Sequence, residues 1–239
     1  CFMTFSLSAG DLLARLLGVI TAQECGFVGA PLVGLSHLDD VRPHQQYLEP
    51  WAGRVEPDDV AKAFDTLHAA GKVRHFGVSN QTPGQIELLK SAVKQPLLFN
   101  QVQLSITHAP LFAQGVAANM AGLDQSISRD NGLLDYSRLK GMVLQAWSPF
   151  QKGFFDGVFI GDRKDFAELN DALDELAAKY DVTPTGIAVA WITHHPANIQ
   201  VVLGTTKPER IRDSAAGASV PLTREEWYRL FRAAGHKLP

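Results

Sequence analysis

The feature that most constrains the fold is a regular alternation, from Pro57 onward, of helix-start signals with short β-branched strands, roughly every 20 to 30 residues. Pro57, Asp58 and Asp59 place a proline and two acids in the first turn of one helix, and Thr82-Pro83 opens the next. Alternation of this kind is typical of α/β proteins, in which helices cover a parallel sheet.

The same alternation predicts four strands of the parallel type, at residues 73–78, 98–104, 142–146 and 199–203. Such strands fit either a doubly wound sheet or a (β/α)₈ barrel, and periodicity alone does not choose between them. The glycine fingerprint G-x-G-x-x-G of a dinucleotide-binding doubly wound domain does not occur between a predicted strand and the next helix. We therefore predict an α/β fold of the (β/α)₈ TIM barrel type, for which about 250 residues is typical.

The two ends of the chain differ in their sequence pattern. Residues 1–45 hold apolar clusters beside glycines without a sustained period of two or 3.6, so we expect an atypical N-terminal segment there. Residues 46–239 form the predicted barrel portion. Within it, the long segment 107–132 is rich in Ala, Gly, Asn and Ser, and a connection of that length usually is functional or carries its own short helix.

Charge and cysteine content restrict the partners and the compartment. The chain has 22 basic and 25 acidic residues, a formal net charge of −3 and no basic run, so nucleic acid and anionic membrane are not expected partners. A small uncharged or anionic ligand is expected instead. Cys1 and Cys25 are too few for a disulfide framework and lack zinc-site spacing, which makes the reducing cytoplasm the expected location.

Polar motifs directly follow each predicted strand. In a barrel the active site lies at the carboxyl ends of the strands, so these motifs are expected to build one pocket. Taken singly, each has a simpler explanation: Ser-Asn is a common turn, a Trp is commonly a core residue, and an Arg at a helix start is commonly solvated. The motifs occupy residues 77–80 (GVSN), 100–103 (NQVQ), 146–149 (AWSP) and 204–211 (GTTKPERI).

In order and spacing, these motifs resemble the aldo-keto reductase family, in its bacterial and fungal-type subgroup. The resemblance covers roughly residues 46–239 and is carried by 71–80 (GKVRHFGVSN), 145–150 (QAWSPF) and 224–228 (REEWY). It implies a barrel oxidoreductase that transfers hydride between NADP(H) and a small carbonyl or alcohol substrate, while a tyrosine exchanges a proton with the substrate oxygen.

The resemblance also implies which residues bind the cofactor. Ser79, Asn80 and Gln101 correspond to residues that hydrogen-bond the nicotinamide carboxamide, and Trp147 corresponds to an aromatic residue stacked on the nicotinamide ring. A second group corresponds to the loop along the pyrophosphate, namely Ser148, Phe150 and Gly153. A third group corresponds to the segment that holds the adenosine and its 2′-phosphate, which favours NADP over NAD: Gly204, Thr205, Thr206, Arg210, Asp213 and Ser214.

The sequence departs from the family where the catalytic residues are expected. Reduction in this family uses an Asp, a Tyr, a Lys and a His, all upstream of the GVSN strand, yet no Lys precedes Lys62 and the only earlier Tyr, Tyr47, lacks the family context. Val41 stands where the family has its His, and His37 remains a candidate, with an incidental histidine as the alternative.

The first three barrel strands are not recognisable either, which predicts an N-terminally truncated or degenerate barrel, inactive or weakly active as a reductase. The alternative is a non-catalytic NADP-binding, sensing or interaction protein on the same fold. A lyase with a Schiff-base lysine is a third possibility, with Lys207 as the nearest residue, but the sequence around Lys207 argues against it.

The loops at 107–132 and 151–163 are the expected walls of the substrate pocket, because specificity in such barrels depends on loops. Four phenylalanines in these loops either line the pocket or pack the loops onto the barrel: Phe112, Phe154, Phe155 and Phe159.

Overall fold

A computed structural model of the chain describes residues 2–4, 19–21, 56–153 and 156–238. Its strands are β1 Phe2–Thr4, β2 Val19–Thr21, β3 His75–Ser79, β4 Leu97–Gln103, β5 Val143–Trp147 and β6 Gln200–Leu203. Its helices are α1 Pro57–Ala69, α2 Pro83–Lys90, α3 Pro110–Val116, α4 Leu133–Leu139, α5 Ala167–Tyr180, α6 Pro184–Thr193, α7 Pro208–Gly217 and α8 Arg224–Ala233, with a 3₁₀ turn at Asp124–Ser126.

Several helices begin where local hydrogen bonds satisfy their first backbone N–H groups. The Thr82 hydroxyl accepts from Gln85 N, and the Gln85 side chain in turn accepts from Thr82 N, which completes a capping box at α2. Thr223 and Glu226 form the same arrangement at α8. These starts confirm the helix boundaries expected from the sequence, because a cap depends on neighbours within three positions.

The strands form one sheet in the order β1-β3-β4-β5-β6-β2. Neighbours β3, β4, β5 and β6 are parallel, which confirms the four strands predicted from the sequence. β2 adds in parallel to β6, whereas β1 pairs antiparallel with β3. Both outer strands lie in the segment for which the sequence indicated little structure, and each has only three residues.

The pairing of β1 departs from the all-parallel barrel that the sequence predicts. Within the described residues the six strands form an open sheet, since no pairing joins β1 to β2. A strand of three residues supplies few ladder hydrogen bonds. Its own sequence pattern therefore specifies only weakly whether it pairs in the parallel or the antiparallel direction.

The two faces of the sheet differ in polarity. The side chains of Phe76, Leu144, Val201 and Leu203 are buried on the face covered by helices, each 1% exposed or less. The opposite face carries polar and aromatic side chains, and Trp147 is among them. Alternation of side chains along each strand produces this division, so the glutamines of β4, β5 and β6 lie on one side with Trp147, whereas Asn100 lies on the other side with Leu144.

Helix α6 is buried along most of its length and contacts α5, α7 and β6. It is apolar on all sides, as expected for a helix surrounded by other elements. α6 and α7 approach so closely that a Cβ on Gly217 would lie 2.0 Å from the Gly186 carbonyl oxygen. Glycine at 217 is therefore required for this helix contact.

A pair of tryptophans joins α6 to α8. The Trp191 and Trp227 rings stack with centroids 4.7 Å apart, and each indole N–H donates to the other residue's backbone carbonyl, at 3.1 and 2.8 Å. Phe112 packs edge-on against both rings. Both indoles are thus buried with their polar atoms satisfied.

No helix within the described ranges combines the length and the hydropathy needed to cross a bilayer.

Candidate functional site

The end of β3 is anchored to the neighbouring strand β4. Asn80 adopts a left-handed backbone conformation (φ 52°), which asparagine tolerates better than most residues. Its N–H donates to the Gln101 carbonyl at 2.9 Å, and the Ser79 hydroxyl donates to the same carbonyl at 3.1 Å. On the other side of β4, the buried Asn100 amide donates to Gln81 O at 2.8 Å and holds the following turn.

A hydrogen bond across the end of β4 joins two of the predicted site residues. The Trp147 indole N–H donates to Asn80 Oδ1 at 3.2 Å, although β3 and β5 are separated by β4. The amide oxygen of Asn80 is therefore occupied, and its NH₂ group donates to no described residue. The structure thus brings Ser79, Asn80, Gln101 and Trp147 together, as the sequence predicts.

Gln101 is the most informative residue of this group. It is 2% exposed, and its Nε2 is buried without a hydrogen-bond partner among the described residues. A buried amide donor without a partner costs about 1 to 3 kcal/mol, so such groups usually serve a ligand or an ordered water. Gln101 can therefore donate to a carbonyl or another acceptor placed against the polar face of the sheet.

The loop after β5 folds back on itself and onto β4. Ser148 has a positive φ of 51°, and Gln151 and Val158 then form a bridge of antiparallel type. Gln103 on β4 donates through Nε2 to the Gly153 carbonyl at 3.0 Å. Phe150 is half-buried, and its carbonyl accepts from Phe159 N. This loop therefore runs beside Trp147 at the strand ends.

Two ion pairs close the loop. Lys152 Nζ lies 2.7 Å from Asp162 Oδ2 and 2.8 Å from Asp165 Oδ2. Asp162 also accepts from the backbone N–H groups of Lys164 and Asp165. The hydrogen bond from Lys152, followed by those from the backbone N–H groups, lowers the pKa of Asp162, and the two carboxylates raise the pKa of Lys152, so Lys152 and Asp162 stay ionised at neutral pH.

The segment after β6 is open to solvent. Gly204, Thr206, Arg210 and Asp213 are exposed, and Thr205 Oγ1 accepts from Lys207 N at 3.2 Å. Arg210 lies in the first turn of α7 and forms no ion pair with any described residue. Ser214, in contrast, is buried at 1% exposure on the inner side of α7.

Five further residues named in the sequence analysis remain: four lie outside the described residues, and one lies on a helix. His37 and Tyr47 lie outside the described residues, as do Phe154 and Phe155. Lys62 is exposed on α1 beside Asp59, on a helix rather than on a strand.

The two phenylalanines of these loops that the structure describes, Phe112 and Phe159, are buried at 4% and 0% exposure. Their burial favours the packing interpretation over pocket lining. Within the described ranges, no group of three His, Cys, Asp or Glu side chains is arranged to hold a metal ion.

Sequence reasoning assigned no individual role to three glutamines of the polar face, although Gln103 lies in the 100–103 motif and Gln145 in the 145–150 segment. Gln103 holds Gly153, and Gln145 donates through Nε2 to Gln200 Oε1 at 3.0 Å. The available signal was the amide side chains themselves, at positions 101 and 103 of β4, 145 of β5 and 200 of β6, because a fully buried parallel strand is normally apolar.

Comparison with known proteins identifies the family. The family model described as "Aldo/keto reductase family" matches residues 34–234, and the chain belongs to that family. It is 32% identical over 203 residues to a 6-dehydroglucose reductase of Agrobacterium fabrum, covering 84% of this chain and 59% of that protein. It is 34% identical over 188 residues to Oxidoreductase YdhF of Escherichia coli, covering 77% and 55%. The chain therefore spans a little over half the length of these relatives.

Solved structures agree on the fold. A thermostable aldo-keto reductase, Tm1743, in complex with the inhibitor epalrestat matches with a TM-score of 0.56 and 22% identity, over 75% of this chain and 55% of that one. An aldo-keto reductase complexed with NADPH matches with a TM-score of 0.50 and 20% identity, over 71% and 45%. The family and the fold class predicted from the sequence, an α/β barrel of the aldo-keto reductase type, are confirmed.

Proposed function

We propose that the described part of this chain is the cofactor-binding portion of an NADP(H)-dependent oxidoreductase that interconverts small carbonyl compounds and alcohols. The observation that carries the proposal is the buried, unpartnered Nε2 of Gln101 at the polar face of the sheet. The nicotinamide carboxamide of NADP(H) has a carbonyl oxygen that this group can bind.

The groups around Gln101 suit the same ligand. The Trp147 indole holds the amide oxygen of Asn80. The NH₂ group of the same Asn80 amide is therefore left as a second donor beside Gln101. The half-buried Trp147 ring offers an aromatic surface for a planar heterocycle. Bound NADPH would supply the hydride, and Ser79, Asn80, Gln101 and Trp147 would bind and orient its nicotinamide ring.

The proposed preference for NADP(H) over NAD(H), which lacks the 2′-phosphate, rests on Arg210. An exposed guanidinium in the first turn of α7, without a carboxylate partner in the described ranges, suits a phosphate in both charge and fork geometry. Gly204, Thr206 and Asp213 are exposed and Thr205 is half-buried, and these four would contact the adenosine end, with Ser148, Phe150 and Gly153 along the pyrophosphate. Ser214 would act from its buried position by holding α7 rather than by touching the ligand.

The chemistry of this particular chain is a further part of the proposal. We propose that its reductase activity is weak or absent, because the Asp, Tyr and Lys motifs of the family are not recognisable and Lys62 faces solvent on α1. His37 is the remaining candidate for a catalytic residue. The second candidate function is NADP(H) binding or sensing without turnover, and it is favoured because every site residue that we propose within the described ranges belongs to the proposed cofactor site.

The partner and the location follow from composition. A net charge of −3 without a basic run supports a small-molecule substrate rather than nucleic acid or a membrane surface. Two cysteines in 239 residues support a location in the reducing cytoplasm.

Titration with NADPH, followed by quenching of tryptophan fluorescence, tests the proposal. Saturable binding is expected, and Trp147→Phe should lose most of the signal change. Arg210→Ala should weaken the binding of NADPH about tenfold or more and leave the affinity for NADH unchanged, because only NADPH carries the 2′-phosphate. Absence of saturable binding by a folded chain would refute the cofactor site.

Turnover of an aldehyde, measured in parallel with the titration, separates the two candidate functions. Binding without NADPH oxidation supports the sensing role. Steady oxidation that depends on the aldehyde would refute the proposed loss of activity.

A further inference from the structure

The turn at Asn80 and Gln81 carries one of the donors of the proposed nicotinamide site. The Asn80 N–H donates to the Gln101 carbonyl at 2.9 Å, and the Asn80 side-chain oxygen accepts from the Trp147 indole at 3.2 Å. Gln81 is bound by the side chain of Asn100, from the other face of β4. Asn80 has a φ of 52°, which residues adopt less readily than strand angles, so the placement of its amide depends on these contacts.

Asn100 is a polar residue on the helix-covered, apolar face of the sheet. Its partners in the neighbouring strands are Val78 of β3 and Leu144 of β5, which are both apolar and buried. Asn100 itself is 0% exposed. Burial of an amide at such a position is unfavourable unless its polar atoms are bonded, so the contacts that Asn100 makes indicate why an asparagine stands there.

Both polar ends of the Asn100 amide contact the backbone of Gln81. Nδ2 donates to the Gln81 carbonyl at 2.8 Å, and Oδ1 accepts from Gln81 N over a longer distance of 3.5 Å. A carbonyl can only accept, so the NH₂ end of Asn100 must face it and the direction of the amide is determined. The two contacts fall on the peptide groups before and after the Gln81 Cα. They therefore restrict the ψ angle of Asn80 as well as both backbone angles of Gln81.

We propose that Asn100 is a positioning residue, which holds Asn80 in its left-handed conformation so that the Asn80 amide meets both Trp147 and the ligand. The inference rests on the proposed function. An indole N–H can only donate, so Trp147 takes the oxygen of the Asn80 amide and leaves its NH₂ group for an acceptor on the nicotinamide carboxamide. Without Asn100, the turn relaxes towards commoner backbone angles, and the amide no longer meets both groups.

Two nucleotides separate positioning from a general loss of stability. NADP⁺ carries the nicotinamide carboxamide, whereas 2′,5′-ADP carries only adenosine with its phosphates. Asn100→Leu removes both contacts to Gln81 and keeps the branching of the side chain. It should weaken the binding of NADP⁺ about three- to tenfold, as the loss of one hydrogen bond does, and leave the affinity for 2′,5′-ADP unchanged. Calorimetric titration measures both affinities, and equal losses for the two nucleotides would overturn the positioning role.

Thr82 supplies the matched control, because it caps the helix that follows the turn. Thr82→Ala removes the hydroxyl that accepts from Gln85 N and keeps the Asn100 side chain, so it should lower the urea midpoint without changing the affinity for NADP⁺. An equal loss of NADP⁺ affinity in Thr82→Ala would overturn the role. Asn100→Ala, which leaves room for water at the Gln81 carbonyl, should show the same selective loss as Asn100→Leu. Failure of both Asn100 variants to fold would assign the residue to the stability of the chain and overturn the role as well.

The Trp147 indole gives a measurement without nucleotide, because its N–H is bonded directly to the Asn80 side chain. In ¹⁵N-resolved NMR spectra this signal, assigned with Trp147→Phe, should shift and exchange faster with solvent in Asn100→Leu, and stay unchanged in Thr82→Ala. An unchanged signal in Asn100→Leu would overturn the positioning role. Failure of the unchanged protein to bind NADP⁺ would instead overturn the proposed function, while the indole signal still decides whether Asn100 positions Asn80.

Discussion

Stability should fall on mild acidification because His195 is held neutral inside an aromatic cluster. Its ring stacks on Phe112 with centroids 4.3 Å apart, and its Nδ1 accepts a hydrogen bond from Ala197 N at 3.2 Å. Burial, with a smaller effect of Arg138, lowers the pKa of His195 from 6.5 to about 4. Protonation would therefore remove an acceptor as well as place a charge in the cluster.

The direction and size of the effect follow from the two pKa values. The unfolded chain takes up a proton as the pH falls below about 6.5, while folded His195 stays neutral until about pH 4. The folded state therefore has its full stability above pH 6.5 and loses it progressively between pH 6.5 and 4. Between pH 7.5 and pH 5 the loss from this histidine amounts to about 2 kcal/mol.

Urea unfolding at pH 7.5 and pH 5, followed by tryptophan fluorescence, measures this loss. Burial also lowers the pKa of His108 and His236, so the comparison with a variant isolates the contribution of His195. His195→Asn keeps an acceptor near the position of Nδ1 and cannot titrate in this range. The free energy of unfolding that the variant loses between pH 7.5 and pH 5 should therefore be smaller by about 2 kcal/mol than that of the unchanged protein. His194→Asn, at the exposed neighbouring position, is the control. Equal pH dependence in His195→Asn and the unchanged protein would refute the reasoning.

Two further predictions concern helix packing and the loop after β5. Gly217→Ala should destabilise the chain by about 3 kcal/mol in urea unfolding, because the new Cβ would meet the Gly186 backbone. Gly84→Ala is the control and should not destabilise it, since the space around Gly84 is open. Similar unfolding midpoints for the two variants would contradict the close helix contact. Lys152→Met removes the partner of Asp162. It should speed proteolytic cleavage within residues 148–165 and leave the free energy of global unfolding unchanged. An unchanged cleavage rate would mean that the ion pairs do not hold the loop.

Helix starts and the central strands are predictable from sequence because their causes are local. Thr82 and Thr223 cap their helices through residues three positions away, and both boundaries are recovered. The predicted strands differ from β3 and β4 by one or two residues, since strand ends depend on pairing with a neighbour.

Features that depend on distant residues were not predictable. β1 and β2 are strands of three residues whose partners, β3 and β6, lie far along the chain, and their own sequence does not indicate which strand each one joins. The bond between Gln145 and Gln200 joins positions 55 apart in the sequence, and its partner is fixed only by the register of β5 and β6. The cofactor residues proposed from the family motifs stay predictions until binding is measured.

The stacked tryptophans give the chain an optical signature of its own. Trp191 and Trp227 lie 4.7 Å apart with an angle of 8° between their ring planes, close enough for their electronic transitions to couple. The coupled pair should produce a circular-dichroism couplet that is present only when α6 and α8 are docked. Trp147 lies apart from this pair, at the strand ends. One sample can thus report folding through the couplet and ligand binding through Trp147 emission.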